Sequence, residues 1–297
     1  MSQRAASPDE TIAFQGLPGA YSHLACREAM PDMEPMPCRT FRDAFGAVTE
    51  GRARLAMIPI ENSVAGRVAD IHHLLPDSGL HIVGEHFERI SHHLLAVRGT
   101  DLDTLTHVHS HIHALSQCRQ MIAELGVEPV EHVDTAGAAA EIAAKGHPSQ
   151  GAIASSLAAE IYGLDSLKAN IEDAEHNTTR FIIMSKREER PPVESLPTEV
   201  ITSFVFRVRN VPAALFKAMG GFATNGINMT KLESYVGEGF FAAQFYADVE
   251  GHPDHRNLKL ALEELGFFTH DVRILGVYPA HPFRAKVNGA AGGGTDS

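Results

Sequence analysis

The sequence predicts an α/β protein in two parts: sheets built from alternating strands and helices, then an α+β ferredoxin-like module of βαββαβ order. Three observations carry this. From Thr11 to Lys186 short apolar runs alternate with helix-period segments, the pattern of α/β architecture with largely parallel sheets. The charged, proline-bearing stretch Lys186-Arg187-Glu188-Glu189-Arg190-Pro191-Pro192-Val193-Glu194 then breaks that pattern, as linkers do. Beyond it, period-2 strands and helix-period segments follow one another in the order β-α-β-β-α-β. The limits implied are 10–187 for the first domain, 188–199 for the linker, 200–280 for the module and 281–297 for a tail expected to be disordered, Gly/Ala-rich from Asn288 on.

Within the first domain, Ile12–Gln15 reads as a strand, and the Gly16-Leu17-Pro18-Gly19 turn leads into a helix over Ser22–Met30. Phe41–Glu50 reads as a helix. Leu55-Ala56-Met57-Ile58-Pro59-Ile60 is nearly all apolar, as a strand buried on both faces must be. Glu61-Asn62-Ser63 follows it, and Gly66–Leu75 reads as the next helix. Further strands are expected at Leu80–Val83, His93–Val97, His107–His109, Pro129–Val133, Ala152–Ala154 and Arg180–Met184, with helices at Ala114–Leu125, Gly137–Lys145 and Ser156–Tyr162. In the module, Thr202–Arg209 alternates as a strand, and a helix opens at Val211-Pro212 with Asn210 near its cap. Strands Ile227–Val236 and Phe240–Val249 flank Gly237-Glu238-Gly239, and a helix over His255–Leu265 and a strand over Val272–Tyr278 complete the set.

Composition narrows the function classes. The chain has 297 residues, 44% of them hydrophobic, enough for a sizeable core and more than one domain. The net charge is −12, with Lys and Arg scattered, which argues against nucleic acid and anionic membranes as partners. No apolar run approaches the roughly 18 residues a membrane span requires. Met1–Pro8 has no apolar signal core, so a cytoplasmic location is expected. Cys26, Cys38 and Cys118 are too few and too widely spaced for a disulfide framework and are expected as buried thiols.

The polar clusters fall where open α/β sheets hold their ligands, at strand ends. Thr178, Thr179 and Arg180 open the strand that Phe181–Met184 anchors, and hydroxyls with a cation there suit a small anion. The Gly16–Ser22 turn is either an N–H cradle for a carboxylate or a plain βα turn. Asn62 and Ser63 offer neutral donors or a helix cap, with Glu61 as a charge or a brace. Ser110-His111-Ile112-His113 and Asp134-Thr135 each precede a helix, as anion donors or as ordinary caps. His107, His109, His111 and His113 alternate, but no carboxylate or Cys stands at ligand spacing, so no metal is expected. Phosphate loops, dinucleotide fingerprints and nucleophile elbows are absent. What remains is hydroxyls, amides, helix ends and one Arg, an inventory that suits a reaction driven by its own substrate.

Taken together, these strings resemble the prephenate dehydratases. The matching stretches are Gly16–Ala25, Pro59-Ile60-Glu61-Asn62-Ser63, Ser110-His111, Gln117-Cys118-Arg119, Thr135-Ala136, Ala152–Ser155, Tyr162-Gly163-Leu164 and Asn177-x-Thr179-Arg180-Phe181. The module resembles the ACT regulatory domain of the same enzymes through Asn210-Val211-Pro212-x-Ala214-Leu215 and Ile227–Ser234. The resemblance implies two lobes like a type II periplasmic binding protein with the site between them, and conversion of prephenate to phenylpyruvate, water and carbon dioxide without cofactor. It implies Thr179, Asn62 and Ser63 as catalytic, and Glu61, Ser22, Ser110, His113, Thr135, Arg180 and Phe181 as substrate-binding. It also implies L-phenylalanine as effector at Asn210, Val211, Pro212, Ala213, Ala214, Leu215, Glu233 and Ser234, and a homodimer or homotetramer.

The chain departs from the family pattern at several positions. His113 stands where the family has Gln, Asp134 where Ser is common, Ala213 where Gly is usual, and Tyr235-Val236 where Arg-Pro is usual. Arogenate dehydratase, whose substrate carries an extra amino group, is the rival reading within the enzymes. A non-catalytic amino-acid-binding protein of the same two-lobed outline is the rival from another class.

Overall fold

The computed structural model describes residues 7–209, 211–236 and 242–286. In chain order the first elements are β1 (Thr11–Gln15), α1 (Tyr21–Ala29), β2 (Glu34–Cys38), α2 (Phe41–Thr49), β3 (Leu55–Asn62), β4 (Gly66–Arg67), α3 (Ala69–Leu74), β5 (His81–Arg89) and β6 (His93–Ala96). Next come β7 (His107–Ser110), α4 (Ile112–Ser116), α5 (Arg119–Leu125), β8 (Glu128–Glu131), α6 (Thr135–Lys145), β9 (Gln150–Ala154), α7 (Ser156–Tyr162), β10 (Asp165–Ala169) and β11 (Thr178–Ser185). The remainder comprises β12 (Val200–Val208), α8 (Ala214–Thr224), β13 (Met229–Val236), β14 (Ala242–Glu250), α9 (Arg256–Phe268) and β15 (Thr269–Pro279). Two compact units result: residues 7–68 with 87–181, and residues 69–86 with the described residues from 182 onward.

The first unit holds two sheets. In one, β1 lies between parallel neighbours β2 and β3, and the opening residues of β11 run beside β3. The other has the order β10-β6-β9-β7-β8. There β7 is parallel to β8 and β9, while β6 is antiparallel to β9 and β10. The sheets are therefore mixed, not largely parallel. β6 enters the second sheet between β9 and β10 and runs antiparallel to both.

The Leu94-Leu95-Ala96 run of β6 is apolar because both of its faces are covered. Leu94 and Ala96 pack with Val108, Leu115 and Met121 on one side, and Leu95 with Ala138, Ile142 and Ala158 on the other. Burying such a side chain contributes about 1.5–3 kcal/mol. The three cysteine thiols are buried as expected.

Two local expectations are corrected here. The helix expected over Gly66–Leu75 begins only at Ala69, because Gly66 takes a positive φ of 82°. That turn folds Gly66 and Arg67 back as β4, paired with Asn62 and Glu61. The helix expected over Ala114–Leu125 is interrupted at Gln117-Cys118. There the Asp173 N–H donates to the Gln117 carbonyl at 2.6 Å, and the Asp173 carboxylate accepts from the N–H groups of Arg119 and Gln120 at 3.0 and 3.2 Å. A cap supplied from 53 residues away starts a new helix where the local sequence holds no breaker.

In the second unit, β12, α8, β13, β14, α9 and β15 form the expected βαββαβ order, with an antiparallel sheet ordered β13-β14-β12-β15. Phe204, Phe206, Phe222, Phe245, Leu258 and Leu265 form the core on one face of that sheet. Gly276 pairs with Ile82 of β5, where an added Cβ would run into the Ile82 carbonyl. Ala213 holds the cap position of α8, with a positive φ of 59°. Residues 281–286 do not belong to a disordered tail. Residues 282–286 are helical, and the Arg284 guanidinium grips the Glu85 carboxylate at 2.6 and 2.8 Å. Asn210, Gly237-Glu238-Gly239 and Asn288–Ser297 lie outside the described residues. Among the described residues no helix is long and apolar enough to cross a membrane.

Candidate functional site

A cavity of about 370 Å³ lies in the first unit where the two sheets present their ends to each other. The first sheet contributes the end of β3 at Asn62, the start of β11 at Thr179 and Phe181, and the β1–α1 turn. The second contributes His111, His113 and Gln117 around α4, and Val133-Asp134-Thr135 before α6. The β1–α1 turn depends on its glycines. Gly19 has a φ of 90°, and a Cβ there would meet Ala158 Cα at 2.8 Å. The Tyr162 hydroxyl donates to the Pro18 carbonyl at 2.7 Å and pins the turn to α7.

Two helix N-termini open on the cavity. α1 starts behind Ala20, which supplies no side-chain cap. At α6 the Asp134 carboxylate takes the N–H of Gly137 at 2.6 Å, a close approach that the missing Cβ of Gly137 permits. The first N–H groups of both helices make no hydrogen bond within the described residues, and such ends favour bound negative charge. The residues lining the cavity include no Lys or Arg.

At the centre a chain of hydrogen bonds joins six side chains. The Asn62 carbonyl oxygen accepts from the backbone N–H groups of Val64 and Ala65 at 3.0 and 2.7 Å. Its amide nitrogen therefore faces the other way, donating to Asn177 Oδ1 at 2.7 Å and to Thr179 Oγ1 at 2.9 Å. Asn177 Nδ2 then donates to Gln117 Oε1 at 2.9 Å, and His92 Nε2 stands 3.0 Å from the same oxygen. Tyr21 Oη closes the chain at 2.7 Å from His92 Nδ1. Thr179 Oγ1 thus accepts from Asn62, and its own proton has no acceptor within the described residues. Thr179 is 9% exposed and lines the cavity.

Burial sets the charge state of this chain. It pushes the Tyr21 hydroxyl well above its usual pKa and holds His92 below the usual histidine value, outweighing the Gln117 bond and the Glu172 carboxylate. Burial, followed by the neighbouring His113, also lowers His111.

Asn62, Thr179, Ser22, His113, Thr135 and Phe181 all line the cavity. Four other residues expected at the site do not. Arg180 alternates with Thr179 along β11 and so points to the opposite face, where it is 3% exposed and ion-paired with Glu61 at 3.0 Å. That pair removes Glu61 and Arg180 together. The Ser63 hydroxyl donates to the His176 carbonyl and accepts from the Thr178 N–H, tying β3 to β11. The Ser110 hydroxyl is fully buried and donates to the Ile153 carbonyl at 2.6 Å. Conversely, Tyr21, His92, Gln117 and Asn177 join the site; Tyr21, Gln117 and Asn177 stand in the strings that carry the family resemblance, and nothing in the sequence marked His92.

In the second unit Val211 and Pro212 are exposed, Ala214 is buried under α8, and Leu215 packs on the core. Glu233 pairs with Lys231 at 3.2 Å, and Ser234 is exposed.

The prephenate dehydratase family model matches residues 12–189, which contain every residue of the cavity. The chain belongs to the prephenate dehydratase family. It is a dehydratase and not a solute-binding protein of similar outline. Among relatives, it is 53% identical over 279 residues to the bifunctional N-acyl-homoserine lactone acylase/prephenate dehydratase of Komagataeibacter europaeus, covering 94% of this chain and 99% of that one. It is 40% identical to the chloroplastic arogenate dehydratase/prephenate dehydratase 1 of Arabidopsis thaliana, covering 90% of this chain and 71% of that one. Among solved structures, the prephenate dehydratase of Arthrobacter aurescens in complex with L-Phe aligns with a TM-score of 0.82 and 28% identity, over 95% of this chain and all of that one. The family match ends before β12, so the βαββαβ module stands outside it.

Proposed function

We propose that this dehydratase acts on prephenate, releasing phenylpyruvate, water and carbon dioxide, with the reaction carried by the cavity of the first unit. The observation that carries the reading is the Thr179 hydroxyl, which accepts from Asn62 and keeps its own proton for a ligand in the cavity. In the reaction the bond from the ring to its carboxylate breaks, and its electron pair enters the ring. The ring π electrons shift, and the bond to the 4-hydroxyl breaks as the ring becomes aromatic, the oxygen leaving with the electron pair as hydroxide, which takes a proton from solvent to become water. No base is required, and the barrier lies in a poor leaving group. A fixed hydroxyl donor stabilises the charge growing on the departing oxygen, a contribution of about 3–4 kcal/mol for one such donor. Thr179 is a hydrogen-bond donor here, because its proton titrates far above neutral pH.

Two carboxylates must also be held. The N-termini of α1, with Ser22, and of α6, with Thr135, supply N–H and hydroxyl donors, and His113 stands where the family's Gln binds substrate. Neutral donors suit this task better than a buried arginine. An arginine pairing tightly with the reacting carboxylate would stabilise the charge that decarboxylation removes.

The test is turnover by the purified chain, with prephenate and arogenate compared at equal concentration. Appearance of phenylpyruvate at the higher kcat/KM supports the reading, and preference for arogenate replaces it with the amino-bearing substrate. N-acyl-homoserine lactone belongs in the same assay, because a relative 53% identical carries that second activity in its name.

We also propose that the βαββαβ module is an ACT domain that binds L-phenylalanine and pairs between copies of a cytoplasmic homo-oligomer. Its effector segments are Val211–Leu215 and Glu233-Ser234. Two facts support this: the Arthrobacter relative was solved with L-Phe, and the loop before α8 keeps a positive φ at Ala213, where the family uses Gly. Calorimetric titration of the full chain with L-phenylalanine tests it. Absence of binding leaves a module that serves assembly alone.

A further inference from the structure

We infer that His92 is a positioning residue for the Asn62–Thr179 pair, acting through Gln117 and Asn177. Its role is to hold the amide chain in the one orientation that leaves the Thr179 proton to the substrate. The inference rests on the functional reading above for its kinetic consequence, but its structural content stands on the hydrogen bonds alone.

The chain is directional. Val64 and Ala65 N–H groups fix the Asn62 carbonyl, so Asn62 can only donate toward Asn177 and Thr179. Asn177 must then accept with Oδ1 and donate with Nδ2, and Gln117 must accept with Oε1. An oxygen that already accepts from Asn177 can meet His92 Nε2 at 3.0 Å only if that nitrogen carries a proton. His92 is therefore the Nε2–H tautomer, and its bare Nδ1 faces the Tyr21 hydroxyl at 2.7 Å, whose proton it shares with the Ser91 carbonyl 2.9 Å from the same oxygen. Turning Gln117 over would set N–H against N–H toward both Asn177 and His92, and turning Asn62 or Asn177 over would set N–H against N–H on one side and oxygen against oxygen on the other.

His92 is the far anchor of this arrangement. Its backbone N–H donates to the Glu172 carboxylate at 2.9 Å, and Glu172 is paired with Arg89. The ring is 2% exposed and stands edge-on to Tyr21 at 82°. Without the His92 donor, Gln117 is held from one side only, at the helix break where no backbone bond constrains its side chain. A Gln117 free to turn presents its amide hydrogens to Asn177, which must then turn too and set its own N–H against the Asn62 amide, pushing that amide off its line to Thr179.

Three replacements separate this role from simple support. In His92→Gln the amide nitrogen reaches the place of Nε2 and keeps the donor. In His92→Asn it reaches only the place of Nδ1, and His92→Leu fills the space with no donor. The expected result is kcat within about threefold of the parent for His92→Gln, and a fall of roughly five- to tenfold for the other two with KM little changed, the size of one neutral hydrogen bond.

A measurement independent of activity runs beside it. Nitrogen-15 spectra of histidine-labelled protein near neutral pH, with the His92 signal identified by its loss in His92→Gln, should show a neutral ring protonated on Nε2. A proton on Nδ1, full kcat in His92→Leu, or equal losses in His92→Gln and His92→Leu would each overturn the inference. Should the parent chain fail to turn over prephenate or arogenate, the functional reading falls, while the tautomer still decides whether His92 orients the chain.

Discussion

Asn62 Nδ2 stands 2.9 Å from Thr179 Oγ1, and the backbone N–H groups of Val64 and Ala65 leave that amide no other orientation. The threonine oxygen can therefore only accept from Asn62, and the proton it donates belongs to the cavity. Asn62→Asp preserves the shape and reverses the sense of this bond, because a carboxylate accepts where the amide donated. The Thr179 proton then turns inward. Turnover is expected to fall roughly 10²–10³-fold, equivalent to losing one oriented donor, with a melting temperature near that of the parent.

Thr179→Ala removes the same donor directly and is expected to lose a similar 10²–10³-fold in kcat. Thr178→Ala should keep nearly full turnover, since Thr178 contributes only backbone groups to the tie with Ser63. Steady-state kinetics on the folded variants decide both. Near-parental kcat in Thr179→Ala would falsify its role as leaving-group donor.

Arg180 and Glu61 give a prediction of the opposite kind. Their ion pair lies on the face of β11 away from the cavity, with Arg180 almost wholly covered and Phe87 beneath the guanidinium at 6.0 Å. Removing one partner of such a pair leaves the other charge buried and typically costs 3–5 kcal/mol. Glu61 is one-third exposed, so the lower end is expected for Arg180→Met. Urea unfolding should show that loss, while KM for substrate in the surviving folded fraction stays within about twofold. A large rise in KM at unchanged stability would return Arg180 to the substrate.

How far this site could be read from the sequence depends on which interactions are local. The strand run Phe181–Met184 and the turn glycines mark the ends of β11 and β1, so Thr179 and Ser22 are correctly drawn to a common mouth. Period-2 alternation alone would have turned Arg180 away from Thr179, but a cation among hydroxyls reads more naturally as a ligand than as half of a buried pair. Gln117 faces the cavity because Asp173, from a distant loop, ends one helix and begins another. No propensity at Ser116–Arg119 signals that break. Asn62 and Ser63 are adjacent donors in the chain, yet one serves the cavity and the other ties β3 to β11, a division made by the strand register.

Stability should fall on the acid side of neutrality. His92 and His111 are both held below the usual histidine value by burial, so the folded state favours their neutral forms. As pH drops through about 6.5, the unfolded chain takes up protons that the folded chain resists. The unfolded state then binds more protons, and stability present in full above that pH is lost progressively toward the depressed folded values. Urea midpoints measured at pH 7.5, 6.5 and 5.5 should decline in that order. His92→Gln, which cannot titrate, should show a shallower decline; an unchanged slope in that variant would remove His92 from the acid response.

The loop before α8 offers a stabilising substitution. Ala213 sits at φ 59° and ψ 25°, the left-handed region, where Cβ crowds the backbone. An alanine there costs roughly 1–2 kcal/mol relative to its preferred conformations. Ala213→Gly relieves that strain but loosens the unfolded chain, which costs about 0.5–1 kcal/mol. The difference leaves a net gain of up to about 1.5 kcal/mol, read as a higher denaturant midpoint at unchanged slope. Loss of stability would mean that the Ala213 methyl contributes packing that outweighs its backbone strain. The same variant bears on regulation, because a glycine restores the family's residue beside Val211 and Pro212. If the effector occupies this loop, the variant should bind L-phenylalanine at least as tightly as the parent. Weaker binding at higher stability would show that the methyl itself touches the effector.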